Sequence, residues 1–411
     1  MKKILCLICL FSVSFYSCAV RNYLGSQSGL SEDRVFYAQM INNGNIYGWF
    51  NIPAHLLKVS DNLAIYLQNS QKVNAYALNK LIQEFDYHYT SMTNIYGTHS
   101  DIDANGKIII LLMDINKTKS GGQTLGYFNP SDMHGNNKGE ILYMDISNAN
   151  NYTDKAIGTI IHEFQHLINY NYVISGERNE MSSWLNEALS ESTSILFNKA
   201  TTESRIDEFN NINYYCFYTW DIPTNISNNN KNNTHVNYPS ASVFMNWLYQ
   251  KNGSNETIFK TIASSKELGD YKKVLSAASG ISGLSGATWD GLLLDWMSEI
   301  VTNGNNWKTT NKPTNNCASG DVSLYPGAMI VCDNYTNGAS GNIVKTNVNS
   351  KTIVLNKDTT LGKGATSVKV SVSSQASSKA RMRRSAIRND NNEESRDINI
   401  LLDRNGNIKK D

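Results

Sequence analysis

Histidine and proline are scarce in this chain, 7 and 6 of 411 residues. Any histidine placed beside an acidic residue therefore deserves weighing as a ligand or proton carrier. Cysteine is nearly as sparse once the first 18 residues are set aside: Cys6, Cys9 and Cys18 fall there, and Cys216, Cys317 and Cys332 follow. That excludes a disulfide-built scaffold and leaves the 40% hydrophobic content, with 7 tryptophans, to supply a packed core. Neither sign of charge dominates, since 37 Lys+Arg face 36 Asp+Glu for a net +1. Nothing in that balance attracts nucleic acid or a strongly acidic surface. Beyond the N-terminal segment no run approaches the roughly 18 apolar residues that a membrane-spanning helix requires. GASGN and ISGLSG do not complete a nucleophile elbow, and no phosphate loop occurs, which disfavours serine-hydrolase and nucleotide chemistry.

What is there begins with MKKILCLICLFSVSFYSCAV, a short basic start followed by an apolar stretch and small residues, the pattern of an export signal. Phe15-Tyr16-Ser17-Cys18 resembles a loose lipoprotein box, so lipidation at Cys18 and a membrane anchor are expected. Cleavage after Ala19, with Ser17 and Ala19 as the small pair, is the alternative.

Residues 162–166 read HEFQH. On a helix the i and i+4 side chains share a face, so His162 and His166 can present imidazole nitrogens to one metal ion, with Glu163 beside them. Ile157, Ile160, Ile161, Phe164 and Ile168 form an apolar stripe from Lys155 to Tyr172, and both histidines fall opposite it. Two histidines merely satisfied by hydrogen bonds remain an alternative for the pentapeptide alone. Glu187, 21 residues after His166 in WLNEALSE, argues against it. A three-residue set leaves the fourth position of a tetrahedral zinc ion to water, the arrangement of catalytic rather than structural sites. Ser182 and Ser183 are N-cap candidates for the helix carrying Glu187. Glu191 shares its edge and is placed to accept the outer N–H of a ligand histidine; Asn186 is placed to serve the other.

HEFQH followed by NEALSE resembles the gluzincin branch of zinc metallopeptidases, the group of thermolysin and the leukotriene-hydrolase-type aminopeptidases. The fuller strings HEFQHLIN and WLNEALSE are most similar to the hyicolysin family of secreted bacterial neutral metallopeptidases. The resemblance implies one zinc ion (Zn2+) held by His162, His166 and Glu187, with Glu163 as general base. It also implies that Asn186 and Glu191 orient the histidines, although thermolysin-like enzymes commonly carry an aspartate where Glu191 stands. An oxyanion donor is sought in HVNYPSASVFMNWL. Tyr238 is preferred because its segment resembles the aminopeptidase type, in which a tyrosine opens a helix; His235 is the rival, as thermolysin itself uses a histidine. The Gly-x-Met-Glu-Asn string by which the aminopeptidases hold a free N-terminus is missing. Gly139–Asp145 alternates like an edge strand able to pair with an extended peptide, or is an ordinary sheet strand.

The expected fold is α+β: a two-lobed, thermolysin-like gluzincin core, then a small all-β module. Strands at Leu63–Gln68, within KIIILLMDI and at GEILYMDI, with a helix from Val73 to about Tyr89, form a mixed sheet under the zinc helix. The divisions are 1–18 signal, 19–200 N-terminal catalytic lobe, 201–308 helical lobe, 309–374 β-rich module and 375–411 charged tail, with the cleft between the lobes. The Asn-rich stretch Asn225–His235 is placed at the cleft rim, and Cys317 with Cys332 is the economical disulfide. Asp101–Gly106, DIDANG, starts like a calcium loop, but its twelfth position is Leu112 rather than Glu, so it reads as a turn and calcium is not supported. The function expected is an exported, lipid-anchored zinc endopeptidase acting on peptide or protein substrates, with no nucleic-acid partner. The alternatives are an inactive surface-binding lipoprotein on a protease fold, or an aminopeptidase. Natural substrate and oligomeric state are outside what these residues determine.

Overall fold

The computed structural model describes residues 30–42, 45–118, 123–212, 215–216, 234–284, 288–304, 322–324, 327–332, 343–357 and 368–370. Strands β1 (Asp33–Asn42), β2 (Asn45–Val59), β3 (Leu63–Gln68), β4 (Ile108–Met113), β5 (Gly126–Phe128) and β6 (Ile141–Asp145) form one sheet. Its order is β1-β2-β3-β4-β6-β5. β3, β4 and β6 run parallel, while β1, β2 and β5 pair antiparallel to their neighbours.

Strand β4 shows why the sheet is central. All six of its residues, IIILLM, are buried, the continuous apolar run of a strand covered on both faces. Period-two alternation sends Ile108, Ile110 and Leu112 into a large core with the helices. Ile109, Leu111 and Met113 go to a second cluster, with Phe36, Ile41 and Ile52 from the β1–β2 hairpin. The sequence does mark that hairpin, with Asn43-Gly44 between two runs rich in aromatic and β-branched residues, although no strand was expected there.

Helix α1 (Ala75–Tyr96) runs seven residues past the expected end near Tyr89. Asn74 caps its start by accepting from Tyr76 N, and Gly97, at φ 107°, ends it. A Cβ on Gly97 would sit 2.4 Å from the Tyr172 ring, so glycine is required there for φ and for close approach alike. After β6 come α2 (Ile146–Asn151) and α3 (Thr153–Ile174). Asp145 caps α2 by accepting from Ser147 N and Asn148 N.

Helix α3 carries HEFQH and is buried from Ala156 to Asn169 apart from His166, with His162 and Glu163 included. One side packs on β5, β6 and α1, the other on α4 (Ser183–Phe197) and α5 (Lys199–Asn211). Ser182 holds the N-cap position of α4 with extended backbone, but its hydroxyl does not cap the helix. It donates instead to Asp270. Helices α6 (Thr234–Lys251), α7 (Thr257–Ser264), α8 (Asp270–Ala278) and α9 (Trp289–Asn303) follow. Their Phe244, Trp247, Trp289 and Trp296 join the same core as the sheet's helical face.

Later strands β7 (Val322–Leu324), β8 (Met329–Cys332), β9 (Ile343–Val348), β10 (Lys351–Asn356) and β11 (Val368–Val370) make a three-stranded sheet, β8-β10-β9, and a β7–β11 pair. Cys332 is disulfide-bonded, while Cys317, its expected partner, lies outside the described residues. Cys18, the signal, Asn225–Asn233 and the tail also lie outside them. No described helix is long and apolar enough to cross a membrane.

One expectation is corrected. Ile141–Asp145 is not an edge strand: all five residues are buried, and β6 lies between β4 and β5. The edge belongs to three-residue β5, too short to register as alternation. A Cβ at Gly126 would lie 2.6 Å from the Tyr143 carbonyl oxygen and 3.0 Å from Thr159 of α3. Glycine is thus what lets the edge strand approach α3. Gly126→Ala is expected to cost about 1–3 kcal/mol of stability through overpacking; an unchanged midpoint in chemical denaturation would show that the strand yields freely.

Candidate metal centre

His162 and His166 project from adjacent turns of α3, and Glu187 comes to them from the second turn of α4. The Nε2 atoms of the two histidines lie 3.1 Å apart. Glu187 Oε2 is 3.3 Å from His162 Nε2 and 3.6 Å from His166 Nε2. A zinc tetrahedron with ligand bonds of about 2.0–2.1 Å has edges of about 3.3 Å, so these three atoms match one of its faces. Glu187 Oε2 is also buried with no hydrogen-bond partner. Leaving a carboxylate oxygen so placed costs several kcal/mol unless a cation meets it. The donor set therefore fits zinc.

Hydrogen bonds behind the histidines fix which nitrogen is available. Ser190 donates its hydroxyl proton to Gln165 Oε1 at 2.6 Å. It can then only accept from His166 Nδ1, 3.1 Å away, which places the imidazole proton on Nδ1 and leaves the Nε2 lone pair for metal. On His162, Nδ1 faces Glu191 Oε1 at 3.6 Å, selecting the same tautomer. Glu191 is buried, and Arg205 clamps it with two bonds of 2.7 Å, from Nε to Oε2 and from Nη2 to Oε1. Asn186 accepts from Asn169 Nδ2 at 3.0 Å. Glu191 thus faces the outer nitrogen of His162, whereas Ser190 rather than Asn186 meets that of His166.

Glu163 lies beside the triad, buried, with Oε2 accepting from the Phe128 backbone N–H at 2.9 Å. The edge strand therefore anchors this carboxylate through one of its two oxygens. Tyr238 is brought close as well: its ring centroid is 6.4 Å from that of His162. It stands in the second turn of α6 rather than opening that helix, with Pro239 inside the helix. The His235 side chain lies outside the described residues.

Arg205, Ser190 and Gln165 were not among the sequence candidates. Arg205 is buried, and its guanidinium lies over the Tyr238 ring, 4.5 Å from the centroid, so one cation braces both Glu191 and the tyrosine. KATTESRIDEFNN has the composition of a solvated helix and gives no sign of this. Ser190 had a usable signal, since it is four residues from Asn186 and three from Glu187 on one helix.

Charges in the centre reflect the same packing. Burial pulls His166 down, but Glu187 and Glu163 outweigh it and raise the imidazole to about 9. Glu187 is pushed up by burial and held, net, well below the usual carboxylate range by the two histidines. Burial takes Glu208 up to about 7 against the pull of Arg205.

Comparison with known proteins adds an independent finding. The chain is similar to the neutral metalloprotease ShpI of Staphylococcus hyicus, 30% identical over 184 residues, 41% of this chain and 40% of that protein. It spans less than half the length of the curated relative it matches. No family model matches. The likeness supports a metallopeptidase relationship and, with the triad, a metal cofactor.

With His166 raised to about 9, the metal-free protein carries a proton there at neutral pH, and zinc must displace it. Apparent zinc affinity should rise about tenfold per pH unit and level off near pH 9. Chelator competition between pH 6.5 and 9.5 measures this; a flat profile would place the proton elsewhere.

Proposed function

We propose that this chain is an exported zinc metalloendopeptidase of the gluzincin type, close in kind to the hyicolysins. The observation that carries the proposal is the meeting of His162 Nε2, His166 Nε2 and Glu187 Oε2 within 3.6 Å, with Glu163 aligned beside them by Phe128 N. Zinc bound there would acidify water and polarise the scissile carbonyl.

The remaining steps belong to the protein. Glu163 takes a proton from the attacking water as oxygen adds to the carbonyl carbon, and delivers it to the nitrogen as the C–N bond breaks. Its buried position keeps bulk water from competing for that proton. Tyr238 donates its phenolic hydrogen to the developing oxyanion without adding charge. Arg205 holds the tyrosine ring from the far side. Strand β5, at the sheet edge beside α3, offers backbone to an extended peptide, which suits cleavage within a chain. Export, with an anchor at Cys18, rests on the N-terminal residues MKKILCLICLFSVSFYSC.

Glu163→Gln should keep one zinc bound per chain while lowering casein hydrolysis by about a hundredfold or more. Wild-type digestion by that variant sinks the mechanism. Tyr238→Phe should lower kcat by about tenfold to a hundredfold with little change in KM; an unaltered kcat moves the oxyanion role to another group.

A further inference from the structure

Among the described residues a second group of metal-capable side chains lies apart from the zinc triad. Carboxylate oxygens of Asp101, Asp103 and Glu140 fall within 4.8 Å of one another. Acidic clusters near a surface are common and say little by themselves. Glu140 is different, being completely buried. Its Oε1 accepts from Ile102 N at 3.0 Å and from the Ser100 hydroxyl. Its Oε2 is buried with no hydrogen-bond partner. A buried carboxylate oxygen that no donor meets is a place where a cation completes the set.

The loop supplies the other oxygens. Asp-Ile-Asp-Ala-Asn-Gly puts oxygen-bearing side chains at 101, 103 and 105 and a glycine in sixth place, where Gly106 takes φ 67°. That is the first half of a calcium loop. The missing half is the carboxylate of the twelfth position, occupied here by Leu112 within β4. The fold provides it from elsewhere. β4 and β6 are parallel neighbours with Ile109 opposite Ile141, and Ile109 N donates to the Glu140 carbonyl at 2.8 Å. Glu140, one residue ahead of β6, is thereby fixed alongside the loop that precedes β4. We propose that Asp101, Asp103 and Glu140 form a second cation site that binds calcium, with Glu140 in the part a continuous loop gives to its twelfth residue.

Local charge agrees. Arg34 is 3.9 Å from Asp103 Oδ2, while the Lys107 ammonium is turned away to the Asp61 carbonyl, 2.8 Å distant. Burial and the nearby Glu140 push Asp103 up to about 6 although Arg34 pulls it down, so one guanidinium does not offset the crowded carboxylates. Oxygen donors alone, without histidine or thiolate, favour a hard cation, and the irregular loop suits calcium better than octahedral magnesium. An ion here would also stiffen the support of α3. His99, in the same segment, sits 2.7 Å from the Tyr89 hydroxyl, and both rings pack on Phe164 of α3. The site stands independently of the protease proposal.

Calorimetric titration of calcium chloride into the zinc-saturated full chain, with thermal unfolding in parallel, tests this. A single added calcium ion per chain is expected, with Tm raised by about 5 °C at roughly a hundredfold excess over Kd. Asp101→Asn, at an exposed position, should weaken calcium binding by about tenfold or more. Glu140→Gln should remove the Tm rise while zinc content stays the same. Absence of binding to the parent chain, unchanged affinity in Asp101→Asn, or equal binding of magnesium would each overturn the proposal.

Discussion

Two imidazole nitrogens and a carboxylate oxygen, placed so that one metal ion could join them, are held together in this protein. His162 Nε2, His166 Nε2 and Glu187 Oε2 lie 3.1–3.6 Å apart, with His162 buried and the other two partly so. Protonated His166 and the Glu187 carboxylate attract each other without a metal, but the surrounding structure has to bring the two imidazole nitrogens to 3.1 Å. Two helices do so. α3 supplies both histidines at i and i+4, and its burial between the sheet and α4 leaves their rings little freedom to move apart. The entropy of arranging ligands is thus met by folding, and a metal ion finds its donors already placed.

Imposing that geometry requires polar partners deep in the protein, and these form a chain reaching well beyond the ligands. Ser190 and Gln165 set the proton on His166; Glu191 does so for His162 and is itself clamped by Arg205. A guanidinium buried with Glu191 and Glu208 has lost its hydration, and the bidentate pair restores much of what burial removes. The same cation covers the Tyr238 ring. Changes at Arg205 would therefore be felt at His162 and at the tyrosine together, although Arg205 touches no metal-binding atom. Glu163 is governed from the opposite side, by a backbone N–H of the edge strand.

Much of this could be read from the residues in order. HEFQH needs only helical periodicity to put two imidazoles on one face, and Glu187 with Asn186 and Glu191 follows from a second helix whose start Ser182 marks. Strand β4 was legible because six consecutive apolar residues bounded by polar ones suit a strand buried on both faces. The edge strand was not. Gly126–Phe128 is too short for alternation to show, and its place is set by pairing with β6 and contact with α3. Arg205 was equally hidden, since a charged residue in a polar helix looks solvated until the partner that buries it is known. Asp101–Gly106 does turn, as its residues indicate, with Ala104 N donating to the Asp101 carbonyl, but only the fold brings Glu140 to it from 34 residues beyond Gly106.

The sequence by itself determined the candidate set: two histidines and a glutamate with the spacing of metal ligands, a second glutamate beside them, and two helices to carry them. Helical spacing is a local property, and local order is written in consecutive residues. Tertiary structure decided what stands behind each ligand, which strand becomes the sheet's edge, and which distant carboxylate meets the Asp101–Gly106 loop. Those outcomes depend on contacts between segments far apart in the chain, where burial strips water from polar atoms and makes each of them find a partner.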